Sequence, residues 1–274
     1  MVSTSFKYKI KNILPRSIYD ALIILKYSRL PKIPNHEIYV SYCEKHDGIE
    51  IGGPSILFKT TLPLYQKLKS LDGVNFTSST VWEGNIKSGF TYSYIWNRKG
   101  TQFISDGTDL SIIQDESYDF VLSSNCLEHI ANPLKALSEW KRILRDGGAL
   151  ILVLPNKLSN PDHNRSITSF DHIHEDFNRN TTEDDLTHLD EILRFHDLSM
   201  DPSAGTLDNF KIRSLDNFNN RTLHHHVFDL DLMRAMFNFL QMTIVQENET
   251  ENYFFMLAVK RTITKSSNPS NART

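Results

Sequence analysis

The sequence is poor in cysteine: Cys43 and Cys126 are the only two in 274 residues. Two thiols cannot build a disulfide framework, so the core must come from apolar packing, and a cytoplasmic, reducing setting is expected. No apolar run approaches the ~20 residues of a membrane-spanning helix. The block Ala21 to Leu25, preceded by Lys7, Lys9, Lys11 and Arg16, is too short to span, and no small-residue cleavage site follows it. It reads as a surface or packing helix that allows at most weak membrane-surface contact, with no transmembrane segment. A strong charge imbalance is also missing; at a net charge of −3 no global field would draw nucleic acid, and no nucleic-acid partner is expected. There is no G-x-G-x-x-G and no G-K-[ST], which argues against a nicotinamide dehydrogenase and a phosphate loop. Zinc-finger spacing, H-E-x-x-H and internal repeats are absent too.

What is present is an alternation of short apolar strands and helices. Gly48 to Gly53, Gly73 to Phe76, Gln102 to Asp106, Tyr118 to Ser124 and Ala149 to Leu154 read as strands. The near-continuous apolar character of the last two is typical of strands buried on both faces. Leu62, Leu64, Leu68 and Leu71 are spaced for a helix over 62–71. Pro133 to Leu144 is the clearest helix, with Asn132 as N-cap, Pro133 in the first turn and Asp146-Gly147-Gly148 as the stop. Asp229 to Leu240 reads as a helix, followed by strands Met242 to Gln246 and Tyr253 to Lys260 around a polar turn. Alternation of this kind makes a parallel sheet with helices on both faces, and the last two strands would add an antiparallel hairpin.

The motifs follow in a telling order. Glu50-Ile51-Gly52-Gly53-Pro54 ends the first strand, where glycines let backbone approach a ligand. Then come Asp106-Gly107-Thr108-Asp109-Leu110, Ser117-Tyr118-Asp119-Phe120-Val121, Leu127-Glu128-His129-Ile130-Ala131-Asn132-Pro133 and Arg142-Ile143-Leu144-Arg145-Asp146-Gly147-Gly148. From Glu50 to Pro155 this series resembles the class I S-adenosylmethionine-dependent methyltransferases, in particular the type 11-like subgroup. The resemblance implies an α/β, doubly wound, mostly parallel seven-stranded sheet (the Rossmann-like methyltransferase fold) with a C-terminal antiparallel hairpin and a helical insertion. It implies S-adenosyl-L-methionine as cofactor, with Glu50, Gly52 and Gly53 under the methionine part, Asn75 at the ribose, Asp106 and Gly107 at the adenine, and Ser124 lining the cleft. Pro54 departs from the usual third glycine. Asn75 replaces a carboxylate, so it can accept one hydrogen bond and donate another where an acid would accept two. Glu128 and His129 would form mainly the cleft wall.

Residues 156–227 break the rhythm, being polar and holding most of the chain's 11 histidines. A structureless loop of that length is unexpected in a compact domain, so the stretch reads as a helical insertion at the ligand-binding edge of the sheet. Its histidines could be solvated surface groups, a general base beside an acceptor hydroxyl, or ligands of a divalent metal. Thr182 reads as an N-cap that would place His188 one helical turn from Asp184 and Asp185. The catalytic candidates are His188, His224, His225 and Asp185, with a His as the base. Trp82, Tyr92, Tyr94 and Trp96 fit packing under a loop, or a surface for pyranose C–H faces. The pattern around these histidines also resembles uncharacterised methyltransferase-like proteins associated with bacterial surface-glycan gene sets, which implies a sugar or other small hydroxyl acceptor. The alternative is a degenerate scaffold that binds cofactor or partners in glycan assembly without catalysis. The expected divisions are 1–36, an N-terminal helical adapter; 37–155, the cofactor-binding core; 156–227, the acceptor cap; 228–261, the rest of the core; and 262–274, a disordered tail. The sequence leaves the oligomeric state open.

Overall fold

The structure, a computed structural model, describes residues 16–27 and 32–261. The basic stretch before Arg16 and the polar tail after Arg261, about which the sequence raised expectations, lie outside these residues. Ten strands are described: β1 (Asp47–Ile51), β2 (Ser70–Asn75), β3 (Ser79–Thr80), β4 (Gly84–Asn85), β5 (Gly89–Ile95), β6 (Arg98–Ile104), β7 (Tyr118–Ser124), β8 (Leu144–Pro155), β9 (Met242–Glu249) and β10 (Tyr253–Lys260). The helices are α1 (Arg16–Tyr27), α2 (His36–Ser41), α3 (Pro133–Ile143), α4 (Phe170–Arg179), α5 (Leu189–Phe195), α6 (Leu207–Leu215), α7 (Asn217–Asn220) and α8 (Leu230–Phe239). None is long and apolar enough to cross a membrane.

Eight strands form one sheet in the order β5-β6-β2-β1-β7-β8-β10-β9, and β3 and β4 pair apart from it. The inner strands β6, β2, β1, β7 and β8 run parallel. β10 is antiparallel to both β8 and β9, giving the expected C-terminal hairpin. The count exceeds the expected seven because β5 adds an antiparallel strand at the other edge.

Strand alternation divides the core cleanly. From β7 and β8, Val121, Leu150, Leu152 and Leu154 face one layer with Leu134, Leu137 and Trp140 of α3 and Met233, Met236 and Phe237 of α8. Phe120, Leu122, Ile151 and Val153 face the other layer, with Phe58, Leu62, Leu64, Tyr65 and Leu68. Helix α3 starts as its sequence dictates: the Asn132 side chain accepts the Lys135 N–H at 3.1 Å, and Pro133 follows at the first helical position. It ends at Ile143, and β8 begins at once; a break in the β7–β8 register, from Tyr118↔Leu144 to Phe120↔Ala149, absorbs the glycine pair that was expected to stop the helix.

The helix expected over 62–71 does not form. Pro63 supplies no N–H and disfavours helical geometry at Leu62. The leucines are buried as expected, but the chain runs through a 3₁₀ turn at Leu57–Lys59 and further turns into β2. Arg98 satisfies the carbonyls that a helix would have used, donating to Tyr65 O at 3.1 Å, Leu68 O at 2.7 Å and Lys69 O at 2.6 Å. One face of the sheet is thus covered largely by non-helical chain.

The packing reaches directly into the ligand edge. Trp140 is fully buried, and its Nε1–H donates to Gly107 O at 2.9 Å. Trp140→Phe should lower stability by about 1–3 kcal/mol, because it leaves a buried carbonyl unpartnered. Urea denaturation should show a lower midpoint with an unchanged slope; an unaltered midpoint would contradict this role.

Candidate functional site

The five parallel strands end at one opening. A cavity of about 490 Å3 there is lined by Ile51, Val74 and Asn75, Ser105, Ser124 and Pro155, which end β1, β2 and β7 or lie at the ends of β6 and β8. Its place is the carboxyl edge where β1 and β7 meet and the strand order reverses, the usual ligand crevice of open α/β sheets. The stretch 156–227 supplies Ser159, Asn160, Arg221 and His224 to the wall.

Of the expected cofactor residues, Gly52, Asn75, Asp106, Gly107 and Ser124 line the cavity. Gly52 has φ +80°, and a Cβ there would meet Cys126 Sγ at 2.6 Å, so only glycine fits. Glu50 and Gly53 lie behind this wall. Glu50 Oε2 accepts the Tyr65 and Tyr92 hydroxyls at 2.6 Å each, and Oε1 accepts the Ser55 N–H at 3.0 Å. Burial pushes the Glu50 carboxyl up to about 7 against these hydrogen bonds. A Cβ on Gly53 would meet that carboxyl at 2.2 Å. The pair shapes the turn from beneath. Asn75 donates to Gly53 O at 3.2 Å, tying the ends of β1 and β2 together.

Asp106 is already engaged. Its Oδ1 accepts Thr108 N–H and Oγ–H at 2.9 and 2.8 Å, and Oδ2 faces Arg221 Nη2 at 3.0 Å. The same guanidinium reaches Glu183 Oε1 at 3.1 Å and lies 5.2 Å from the Phe76 ring centroid. Nothing in the sequence singles out Arg221. Its left-handed backbone, φ 53°, follows α7 and turns the side chain into the cleft wall.

The catalytic candidates separate. His224 lines the cavity, and its Nδ1 forms a short contact with Asp162 Oδ2. Asp162 also accepts Arg165 Nη1 at 3.0 Å. Burial opposes ionisation of Asp162, but His224 and Arg165 outweigh it and hold the carboxyl well below the usual range. Burial alone would lower the His224 imidazole; the Asp162 charge and hydrogen bond overcome it, so the net shift is upward. Beside it, the His129 ring centroid is 4.6 Å away, and burial pulls His129 well below its ordinary value. Burial pushes Glu128 up to about 7. Its Oε2 and Ser124 Oγ are buried without hydrogen-bond partners, and both residues line the cavity. Polar groups left open at a cavity wall suit a polar ligand.

His188, His225 and Asp185 are not among the cavity-lining residues. The helix expected to join His188 to Asp184 and Asp185 is absent: Asp185 turns back to Thr187 N–H and Oγ–H, and Thr182 bonds Asp184. Such local side-chain bonds compete with helix formation. His188 instead precedes α5, with Nε2 at 2.9 Å from His172 Nε2. His225 is buried against Asn217 and Glu183. Among the described residues two groups could hold a metal ion: Glu128, His129 and His224 at the cavity, and His172, His188 and His226, which do not line it. The aromatics also divide. Tyr92 and Tyr94 are buried in β5, whereas Trp82 is exposed at the cavity with its ring centroid 5.0 Å from that of His129.

Residues 90–152 match the family described as Methyltransferase domain. A stretch of 44 residues is 52% identical to an uncharacterized protein of Methanocaldococcus jannaschii; it covers 16% of this chain and spans only 19% of that relative's length. Similar solved structures include a SAM dependent methyltransferase from Aquifex aeolicus, at 11% identity over 88% of this chain and 98% of the other with a TM-score of 0.44. Another, from Mesorhizobium loti, has 9% identity over 82% and 96% with a TM-score of 0.47. A third, from Methanosarcina mazei, has 18% identity over 82% and 97% with a TM-score of 0.45. The strand order and the cavity at the strand ends carry the assignment of an α/β Rossmann-like methyltransferase fold. The match to a methyltransferase domain, residues 90–152, lies within that fold.

Proposed function

We propose that the chain transfers a methyl group from S-adenosyl-L-methionine to a hydroxyl of a sugar or other small acceptor, with His224 as general base. The observation that carries this reading is the His224–Asp162 contact at the wall of the cavity. A cavity of about 490 Å3 falls within the ~300–1,000 Å3 range of small-molecule sites. The glycine turn at Gly52, Asn75, Asp106 and Gly107 would hold the cofactor. When bound, the cofactor supplies an electrophilic methyl on a sulfonium.

The chain's own part is positioning and proton transfer. Asp162 accepts a hydrogen bond from Nδ1–H of His224, which fixes the tautomer and leaves Nε2 as the acceptor for a hydroxyl proton. The raised imidazole pKa makes His224 a better proton acceptor and stabilises the imidazolium formed as the hydroxyl oxygen bonds carbon. His129, held neutral by burial, places no positive charge beside that imidazolium. Trp82 offers an exposed aromatic face at the rim, suited to the C–H face of a pyranose. The insertion covers the sheet edge and limits water around the acceptor.

A second reading draws on Asn75, which replaces a carboxylate, and on Arg221, which sits on Asp106. In it the chain is a scaffold that binds cofactor or partners in glycan assembly without catalysis. Calorimetry with S-adenosylmethionine separates the readings at the first step, since no heat at millimolar cofactor would remove the enzymatic one. Given binding, His224→Ala should lower kcat by about 10²–10⁴-fold, the span of general-base catalysis, with cofactor affinity nearly unchanged. A general base works deprotonated, so activity should rise with pH through the raised His224 pKa. Asp162→Asn should lower that pKa and move the acidic limb of the profile to lower pH, while reducing the plateau. An unmoved limb would take His224 out of the proton transfer.

A further inference from the structure

Behind the cavity, the insertion gathers three imidazoles and a carboxylate from segments far apart in sequence. His172 and Asp176 lie one turn apart on α4, His188 precedes α5, and His226 lies in extended chain before α8. One ring nitrogen from each of His172, His188 and His226 falls within 4.8 Å of the other two. The His172 and His188 Nε2 atoms are 2.9 Å apart. Asp176 Oδ2 lies 3.3 Å from His172 Nε2 and 3.6 Å from His226 Nε2.

We propose that His172, His188 and His226 form a three-imidazole site, with Asp176 beside it, for a zinc-like divalent transition-metal ion that pins the insertion together. Two nitrogens on a tetrahedral zinc at the usual bond length stand about 3.3 Å apart, so the observed pair needs only a few tenths of an ångström of adjustment. A second observation points the same way. Asp176 is 7% exposed, and its Oδ2 is buried without an accepted hydrogen bond, while Oδ1 takes the Thr181 hydroxyl at 3.0 Å. His226 is 2% exposed; its Nδ1 is also buried without a partner, and its Nε2 lies 3.1 Å from Ala131 O. Buried polar atoms left open on two converging side chains are costly unless something fills the gap. The outer contacts to Thr181 and Ala131 are of the kind that orient metal ligands. Three imidazoles with one carboxylate favour zinc over magnesium, which takes oxygen ligands and keeps water. The ion would join α4, the start of α5 and the chain before α8, so the role is structural.

The readout is metal binding and stability, so the result is independent of whether the chain transfers methyl groups. The full chain, stripped with a chelator and dialysed, should take up one equivalent of Zn2+ by elemental analysis. With Co2+ it should develop the intense visible bands of a four-coordinate ion. Zn2+ should raise the thermal midpoint of the stripped protein, because an ion bound only by the folded chain stabilises it. His188→Ala and His172→Ala should lose stoichiometric uptake and the visible bands, whereas His163→Ala, which pairs with Asn160 and Asp197 elsewhere in the insertion, should keep both. Should a ligand variant fail to fold, a His129→Ala/His224→Ala protein, which lacks the other candidate group at the cavity, should still take up one equivalent and show the cobalt spectrum, and loss of both there would count against the proposal. A folded wild-type chain that takes up neither ion, or a His172→Ala/His188→Ala protein that still binds one equivalent, would overturn the proposal.

Discussion

The arrangement of the site depends on one buried ion pair. Asp162 and Arg165 are each only 2% exposed, and neither would be stable there alone, since an uncompensated buried charge costs several kcal/mol. Together they satisfy more than each other. Arg165 donates to His224 O at 2.8 Å and His225 O at 3.1 Å, and its Nε reaches Glu191 at 3.1 Å. Asp162 takes the His224 ring. The pair therefore fixes both the backbone and the imidazole of the segment that faces the cavity. On the other side, His225 N–H donates to Glu128 O at 2.9 Å, so the same segment is sewn to the core loop that carries the cavity wall. Docking of the insertion and placement of the His224 imidazole are one set of contacts.

Much of this frame is legible locally. β7 and β10 run over the residues their apolar patterns mark, because strands buried on both faces leave continuous hydrophobic runs. α3 and α8 start where Asn132 and Asp229 can accept an N–H three residues on. What is not legible is set by partners distant in sequence. The leucines of 62–71 carry a helical spacing, yet Pro63 and the guanidinium of Arg98, some thirty residues away, settle the chain into turns. β5 owes its place to pairing at an edge, with bulges and few strong signals of its own.

The site shows the same division. Gly52, Asn75, Asp106, Gly107 and Ser124 end or follow strands, and any sheet of this order brings them together. His224 could not be ranked above His188 or His225 from sequence, because what distinguishes it is the carboxylate of Asp162, 62 residues earlier. Asp176 is hidden for the same reason: on its helix it looks like one more polar residue, and only the fold brings His226 to it.

Arg221 shows what the insertion demands of a ligand. Both oxygens of Asp106 are engaged, one by Thr108 and the other by the guanidinium, which also lies over the Phe76 ring. A ligand donor that reaches Asp106 must share that second oxygen or displace the arginine from it. Arg221 is not free to leave at no cost, since it also holds Glu183, and Glu183 accepts the Ala131 N–H at 3.0 Å and faces His225. Ala131 in turn stands beside His226 through its carbonyl. The cavity wall at Asp106 and the seating of the histidine segment are therefore linked through Arg221 and Glu183. A ligand can shift that seating only by as much as it binds the two arrangements differently.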